Sequence, residues 1–413
     1  MKNTERPAVI PAKPQPRVSR VRIRNYKSIR ECDVPVGPLT LLVGANGTGK
    51  SNFLDAVAFM SEAISTTPQQ AIDSRNGMAE ILLRSPEHVT AFSILIDFTL
   101  AWGGEGAAPE HWSYGFEIRQ APRANPPFEV VWEHARATRG DTANHFTVNQ
   151  GSVDYPHVAQ DTSVEPGRLF MPAVSSVSKS WSRVSRALRG MRFYNFETSA
   201  LRLPQPAVER AVLGRRGEHL GDVLGDLGDS YPEVKERVDD YLAAVAPGVV
   251  GVDRQAVKRY VTVEMRQRSE SGAHAAFGPD AMSDGTIRTA AVLAALFQAP
   301  TQHGQVNLVG IEEPETALHP AAAGALYDAL TEASEHVQVI ATTQSDDLLD
   351  RDDVDLDAVL AVANTNGSTV IGPLDAASRQ IVRDGHFTLG ALMRADQLSP
   401  EPARCEDFGP VTG

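Results

Sequence analysis

The stretch Leu39-Thr40-Leu41-Leu42-Val43-Gly44-Ala45-Asn46-Gly47-Thr48-Gly49-Lys50-Ser51-Asn52-Phe53 decides the fold. A strand-like apolar run, LTLLV, enters a glycine-rich turn, and residues 51–64 after it read as a helix. Gly44 to Ser51 fits the pattern G-x-x-x-x-G-K-[ST] in the strand–turn–helix setting where that pattern binds phosphate. The residue types follow from the chemistry. Glycines let successive backbone N–H groups wrap a polyphosphate, and the helix N-terminus adds partial positive charge. Lys50 is expected to reach the β- and γ-phosphates of ATP and Ser51 to ligate Mg2+, while Asn46, Gly47, Thr48, Gly49 and Asn52 complete the cradle.

A second signal lies 262 residues beyond Lys50, where the buried-strand run Val306 to Ile311 ends in Glu312-Glu313-Pro314-Glu315. Carboxylates at the C-terminal edge of a parallel sheet stand where such sheets bind ligands. Glu312 is assigned to the metal shell and Glu313 to orienting or deprotonating the attacking water. Glu315 reads equally as a site residue and as a helix-start charge, and His319, before Pro320, equally as a cap and as a functional group.

Around these landmarks the texture alternates between strand and helix, which argues for an α/β fold with a parallel sheet. Val18, Val21 and Ile23 suggest a first strand, and AFSILIDFTL, SYGFEIR and FEVVWEHARA suggest an antiparallel meander within 91–150. Residues 173–250 look mostly helical, Tyr260–Arg266 alternates like a strand, and helices are expected over Asp284–Phe297 and Pro320–Ser334. A further buried strand is expected over Val337–Thr342. The expected organisation is a disordered basic tail (1–16), an N-terminal ATPase lobe with phosphate loop and β-subsheet (17–165), and a helical lobe (166–280). A C-terminal ATPase lobe (281–375) and a closing segment (376–413) complete it.

Composition sets bounds on function. The 413 residues carry 52 acidic and 39 basic side chains, a net charge of -13, yet residues 1–30 hold nine basic groups and one acid. An acidic body confines nucleic-acid contact to local basic stretches. One is the N-terminus; the other is Arg183, Arg186, Arg189 and Arg192, a three-residue repeat that reads as a DNA-backbone contact or as a solvated helix face. Two cysteines, Cys32 and Cys405, cannot build a Cys-rich zinc cluster or a disulfide framework. The longest uncharged apolar run, Thr289–Phe297, is too short to span a bilayer, so a cytoplasmic protein without membrane contact is expected.

IRNYKSI, LVGANGTGKSN, MSDGTIR, GIEEPETALHP and ATTQSDDLLD, in this order, resemble the RecF-like AAA/ABC-type ATPases, relatives of SMC and OLD-type ATPase heads. The resemblance covers roughly residues 18–396. It implies a P-loop NTPase of the ABC/SMC-head type with an antiparallel β-subsheet and an inserted helical lobe. It further implies a Mg2+-dependent ATPase that closes as a head-to-tail homodimer or higher oligomer and acts in DNA repair or anti-phage defence.

By the same resemblance, Ser283 and Gly285 would cap a partner's γ-phosphate, although Ser283 is equally a good helix N-cap. Tyr26 would lie near the adenine, where it reads as a base platform or a buried aromatic. Gln344 stands where relatives often carry a histidine that senses the γ-phosphate; an amide can donate a hydrogen bond but cannot carry a proton. That departure keeps open a second reading, an ATP-gated scaffold or sensor with slow or no hydrolysis. For the glutamine that relatives place on the linker to the helical lobe, neither Gln120 nor Gln150 stands out. Heptad arms are absent from the sequence, and the 38 residues after Asp375 leave no space for a nuclease domain, so a separately encoded effector such as a nuclease is expected.

Overall fold

A computed structural model describes residues 15–101, 109–139, 142–159, 161–268 and 273–401; the expected tail up to residue 14, and Cys405, lie outside them. Strand β1 (Arg17–Tyr26) and β2 (Ile29–Pro35) form a hairpin leading to β3 (Leu39–Val43), α1 (Lys50–Ser65), α2 (Pro68–Asp73) and α3 (Met78–Ile81). The meander is β4 (Ala91–Ala101), β5 (Pro109–Gln120), β6 (Phe128–Arg139), β7 (Thr142–Asn149) and β8 (Ser152–Asp154). Helices α4 (Met171–Val177) and α5 (Lys179–Arg189) precede β9 (Met191–Tyr194). Next come α6 (Thr198–Arg202), β10 (Gln205–Pro206), α7 (Leu220–Ser230), α8 (Pro232–Val245), β11 (Val249–Val257), β12 (Tyr260–Arg268) and β13 (His274–Phe277). The remainder is α9 (Asp284–Phe297), α10 (Ala299–Gln302), β14 (Leu308–Glu312), α11 (Ala323–Ser334), β15 (Gln338–Thr343), β16 (Val359–Thr365), β17 (Ser368–Pro373), α12 (Ala376–Arg383) and α13 (Leu389–Arg394).

Among the described residues, thirteen strands join in one sheet, ordered β8-β7-β6-β5-β4-β1-β2-β17-β16-β3-β15-β14-β9. The meander therefore extends the sheet that carries the phosphate loop. The segment 173–250, expected to be mostly helical, contributes β9 to this sheet, and with the residues after it supplies β10 to β13, a second sheet of four strands. Short strands such as MRFY carry no alternation long enough to announce themselves.

Pairing at the centre is parallel: β16 with β3, β3 with β15, β15 with β14, and β14 with β9. The last partners are Val43↔Thr343, Glu312↔Thr342 and Ile311↔Tyr194, so four strand ends from distant parts of the chain finish at one edge. Both faces are covered, as a parallel sheet requires. Within β3, Leu42 belongs to the core on one face, which includes Phe53 and Phe59 of α1, while Leu39, Leu41 and Val43 belong to the core on the other, which includes residues of α9 and α11. Each large apolar side chain so buried contributes about 1.5–3 kcal/mol. Helix α9 matches its expected limits, and Pro320–Ala322 forms a 3₁₀ turn before α11.

Candidate active site

The phosphate loop bridges the buried end of β3 and the start of α1. Gly49 sits at φ 106°, a left-handed conformation, and a Cβ there would come within 2.0 Å of Thr369 Oγ1. Only glycine satisfies both conditions. Gly47 also has positive φ (75°), with open space where a side chain would project, so its backbone is accessible to a phosphate.

The loop is braced from behind. Thr369 Oγ1, on β17, donates to the Thr48 carbonyl at 2.7 Å and lies 2.7 Å from Ser28 Oγ in the β1–β2 turn. Asn52 Nδ2 donates to that Ser28 oxygen at 2.6 Å, and Thr48 Oγ1 to the Ala45 carbonyl at 2.9 Å. Neither Ser28 nor Thr369 stands out in the sequence, because their role depends on β17 pairing with β2. Lys50 Nζ donates to the Gly44 and Ala45 carbonyls at 2.7 and 2.9 Å. Burial lowers the pKa of this ammonium, against the pull of Glu313 and Glu315.

The acidic strand end lies against the same helix start. Burial raises the Glu312 pKa; the neighbouring Ser51 hydroxyl and the Arg215 charge oppose the shift, while Asp55 and Glu313 add to it. Two hard oxygen donors at the foot of a phosphate cradle fit magnesium, which takes one or two protein ligands and fills its octahedron with phosphate and water. Among the described residues, no group of three or more His, Cys, Asp or Glu side chains could hold a metal by itself.

Glu313 has φ 45°, unusual for a residue with a side chain, and its N–H points to both the carbonyl and the hydroxyl of Thr342, each at 3.1 Å. That bend directs the chain off the end of β14. Glu315 is no helix-start charge: its Oε1 accepts from Thr343 Oγ1 at 2.6 Å and from the Gln344 N–H at 3.2 Å. Gln344 itself is exposed. His319 caps the 3₁₀ turn, its Nδ1 accepting from the Ala321 N–H at 3.2 Å.

Ser283 caps α9, accepting from the Thr286 N–H at 3.1 Å, and it remains exposed at the surface. Gly285 packs on the acidic turn: a Cβ there would lie 2.3 Å from the Ala317 carbonyl. Arg202, which the sequence did not single out, pins this corner by donating to the Pro279 and Met282 carbonyls and to Asp284. Arg288 donates to the Phe196 carbonyl and is close enough to Glu313 and Glu315 for their charges to raise its pKa against a larger desolvation effect.

Tyr26 needs correction. Its ring is fully buried, edge-on to Phe59 and Phe92, and its hydroxyl donates to Asp55 Oδ2 at 2.8 Å, so it offers no face to a base. Burial pulls the Asp55 pKa up, but Arg75 and Lys27 outweigh it and hold this carboxyl below its ordinary value. Beside them a cavity of about 570 Å³ is walled by Lys27, Ser28, Asp55, Arg75, Arg84 and Arg215, among others. Gln120 ends β5 and Gln150 follows β7, both in the meander, away from the strand ends at the site. Asn195 follows β9 instead: with Tyr194 opposite Ile311, it comes level with Glu312, exposed, its N–H bonded to the Arg215 carbonyl at 2.9 Å.

Residues 136–350, more than half of the chain, match the model of a family described as "AAA domain, putative AbiEii toxin, Type IV TA system". The chain belongs to this AAA family. Residues 17–92 also match the model described as "AAA ATPase domain". An OLD nuclease of Thermus scotoductus is 24% identical over 351 residues, an alignment covering 79% of this chain and 59% of that protein. The AAA chain thus corresponds to little more than half of that relative.

Among solved structures, an Smc head bound to the C-winged helix domain of ScpA is similar at TM-score 0.52 and 14% identity, over 88% of this chain and 99% of the other. An Smc head with an extended coiled coil, bound to the C-terminal domain of ScpA derived from Pyrococcus furiosus, gives 0.51 and 12%, over 90% and 99%. The fold is therefore that of an ABC-type P-loop ATPase head, as in the Smc heads.

The basic stretches of this AAA chain differ in the structure. At the N-terminus, Arg20 pairs with Asp33, Arg22 with Asp97, Lys27 with Asp55 and Arg30 with Glu87, so most of its described charge is neutralised internally. On α5, Trp181, Val184 and Leu188 are buried and Arg183, Arg186 and Arg189 exposed. Arg192 falls outside that stripe, its guanidinium donating to the Arg189 and Met191 carbonyls. No helix among the described residues is long and apolar enough to cross a membrane.

Proposed function

We propose that this AAA chain is a Mg2+-dependent ATPase head that works as a dimeric molecular switch. One observation carries the reading: Ser51 on the phosphate-loop helix and Glu312 at the acidic strand end, 261 residues apart in sequence, are neighbours in the fold. Glu313 stands next to them on a bent backbone. The phosphates would lie on the loop N–H groups and Lys50, and the cavity beside Lys27 and Ser28 has the size and position for the nucleoside. Magnesium, when bound, neutralises charge on the β- and γ-phosphates, with Ser51 and Glu312 as its protein ligands. Glu313 would orient a water and take its proton, and Asn195 would supply the amide that relatives carry as glutamine.

Ser283, exposed at the start of α9, with Gly285 buried behind it against the acidic turn, suits the capping of a partner's γ-phosphate in a head-to-tail homodimer. The kinship with an OLD nuclease supports a role in DNA repair or anti-phage defence with a separate effector, and the arginine stripe of α5 supports DNA contact. The test is steady-state ATP turnover. Lys50→Ala and Glu313→Gln should each abolish it, and wild-type rates in both would refute the site. Mass measurement with ATP, with and without duplex DNA, tests closure into dimers.

Gln344 favours a second reading, an ATP-gated scaffold or sensor: it is exposed and its amide cannot carry a proton. Stable ATP-dependent dimers with negligible phosphate release would select it.

A further inference from the structure

We propose that Glu315 is a positioning residue that locks the switch peptide, Thr343–Gln344, to the acidic turn and so fixes the spacing between Glu313 and Gln344. The inference rests on the ATPase reading above.

The ladder between β14 and β15 ends at Glu312↔Thr342. Beyond it Glu313 turns away at φ 45°, and backbone pairing can no longer hold the two strand ends in register. The Glu315 side chain takes over. Its Oε1 receives both the Thr343 hydroxyl and the Gln344 N–H, while the Thr343 oxygen in turn accepts from the Ser345 N–H at 3.0 Å. Thr343 still pairs with Val43 of β3, but on the side facing β14 one carboxylate oxygen joins Thr343 and Gln344 to the acidic turn, and Ser345 follows through Thr343.

Thr343 is fully buried, and Glu315 Oε2 is buried without a hydrogen-bond partner. Burying a carboxylate with one oxygen unpaired is costly, so the position tolerates an expense that packing alone would avoid. The geometry points to a lock rather than a nucleotide ligand, because the bonded oxygen is directed at the protein's own chain. Glu315 is offered here as acting through Gln344, not on phosphate.

The experiment uses the full chain with Glu315→Ala, Glu315→Gln and Thr343→Val, read by ATP turnover, ATP affinity and amide hydrogen exchange at Gln344. Loss of the acceptor in Glu315→Ala should lower kcat about tenfold with ATP affinity within about twofold of wild type, and speed Gln344 exchange about tenfold. Glu315→Gln keeps an acceptor oxygen and should restore kcat to within about threefold of wild type. Thr343→Val, which attacks the same bond from the other side, should move kcat and exchange in the direction of Glu315→Ala, and it serves alone should that variant not fold.

Unchanged Gln344 exchange in Glu315→Ala and Thr343→Val overturns the lock, as does a loss of affinity parallel to the loss of kcat. A wild-type chain without turnover sinks the ATPase reading, and the exchange measurement then decides the lock by itself.

Discussion

Thr369→Val removes one hydroxyl from the brace behind the phosphate loop while leaving shape almost unchanged. In the wild type that hydroxyl donates to the Thr48 carbonyl at 2.7 Å and sits 2.7 Å from Ser28 Oγ, at a residue only 2% exposed. With a methyl in its place the Thr48 carbonyl loses its buried donor and Ser28 keeps only the bond from Asn52. An orphaned buried acceptor costs about 1–3 kcal/mol. The strain falls on the loop whose N–H groups are proposed to hold phosphate, so about 1.4 kcal/mol of it felt in binding would weaken ATP affinity about tenfold.

Titration with a fluorescent ATP analogue reads that change, and urea denaturation reads the stability. Thr365→Val, on the exposed end of the same hairpin, is the control and should alter neither. An unaltered ATP affinity in folded Thr369→Val, with the control also unaltered, would show that the brace does not shape the loop.

Tyr26→Phe should leave ATP affinity unchanged while lowering stability by about 1–2 kcal/mol, since only a buried bond to Asp55 is lost; a loss of affinity above about fivefold would restore Tyr26 to the site. Arg215→Ala removes a positive charge that opposes the upward shift of Glu312, so the acid limb of the ATPase pH profile should move to higher pH, a limb in its old place being the contrary result. Burial pushes the Glu133 carboxyl up to about 7, against hydrogen bonds from the Phe170 and Met171 N–H groups and the Tyr114 hydroxyl. A carboxyl whose folded pKa exceeds its unfolded value contributes stability at low pH that is lost as pH rises from about 4.5 through about 7. Wild-type stability should therefore fall by about 3 kcal/mol more than that of Glu133→Gln across this interval; parallel curves by denaturation would contradict the shift.

What could be read from the sequence were the features coded by contiguous residues. The phosphate loop, the acidic strand end and helix α9 each announce themselves because strand, turn and cap lie within a dozen positions. Asn195, Thr369 and Ser28 were invisible for the opposite reason: their places depend on strand registers between segments far apart in the chain. Tyr26 shows a third limit, since an aromatic before a turn looks the same whether its ring faces a base or, as here, Phe59 and Phe92. The basic N-terminus shows a fourth: Asp33 and Asp97 neutralise it only once strands pair, and Asp55 and Glu87 only once α1 and the segment before β4 pack against it.

The bond between Thr369 and Thr48 spans 321 residues and sets an order on the birth of the protein. The phosphate loop leaves the ribosome early, but β3 must wait for β15 and β16 as neighbours, and the loop must wait for β17 to close behind it. At about 5–20 residues per second, that wait is roughly 15–60 s. During it the nascent chain carries a nucleotide motif without a nucleotide site. Amino-terminal fragments ending before β17 should therefore bind ATP poorly.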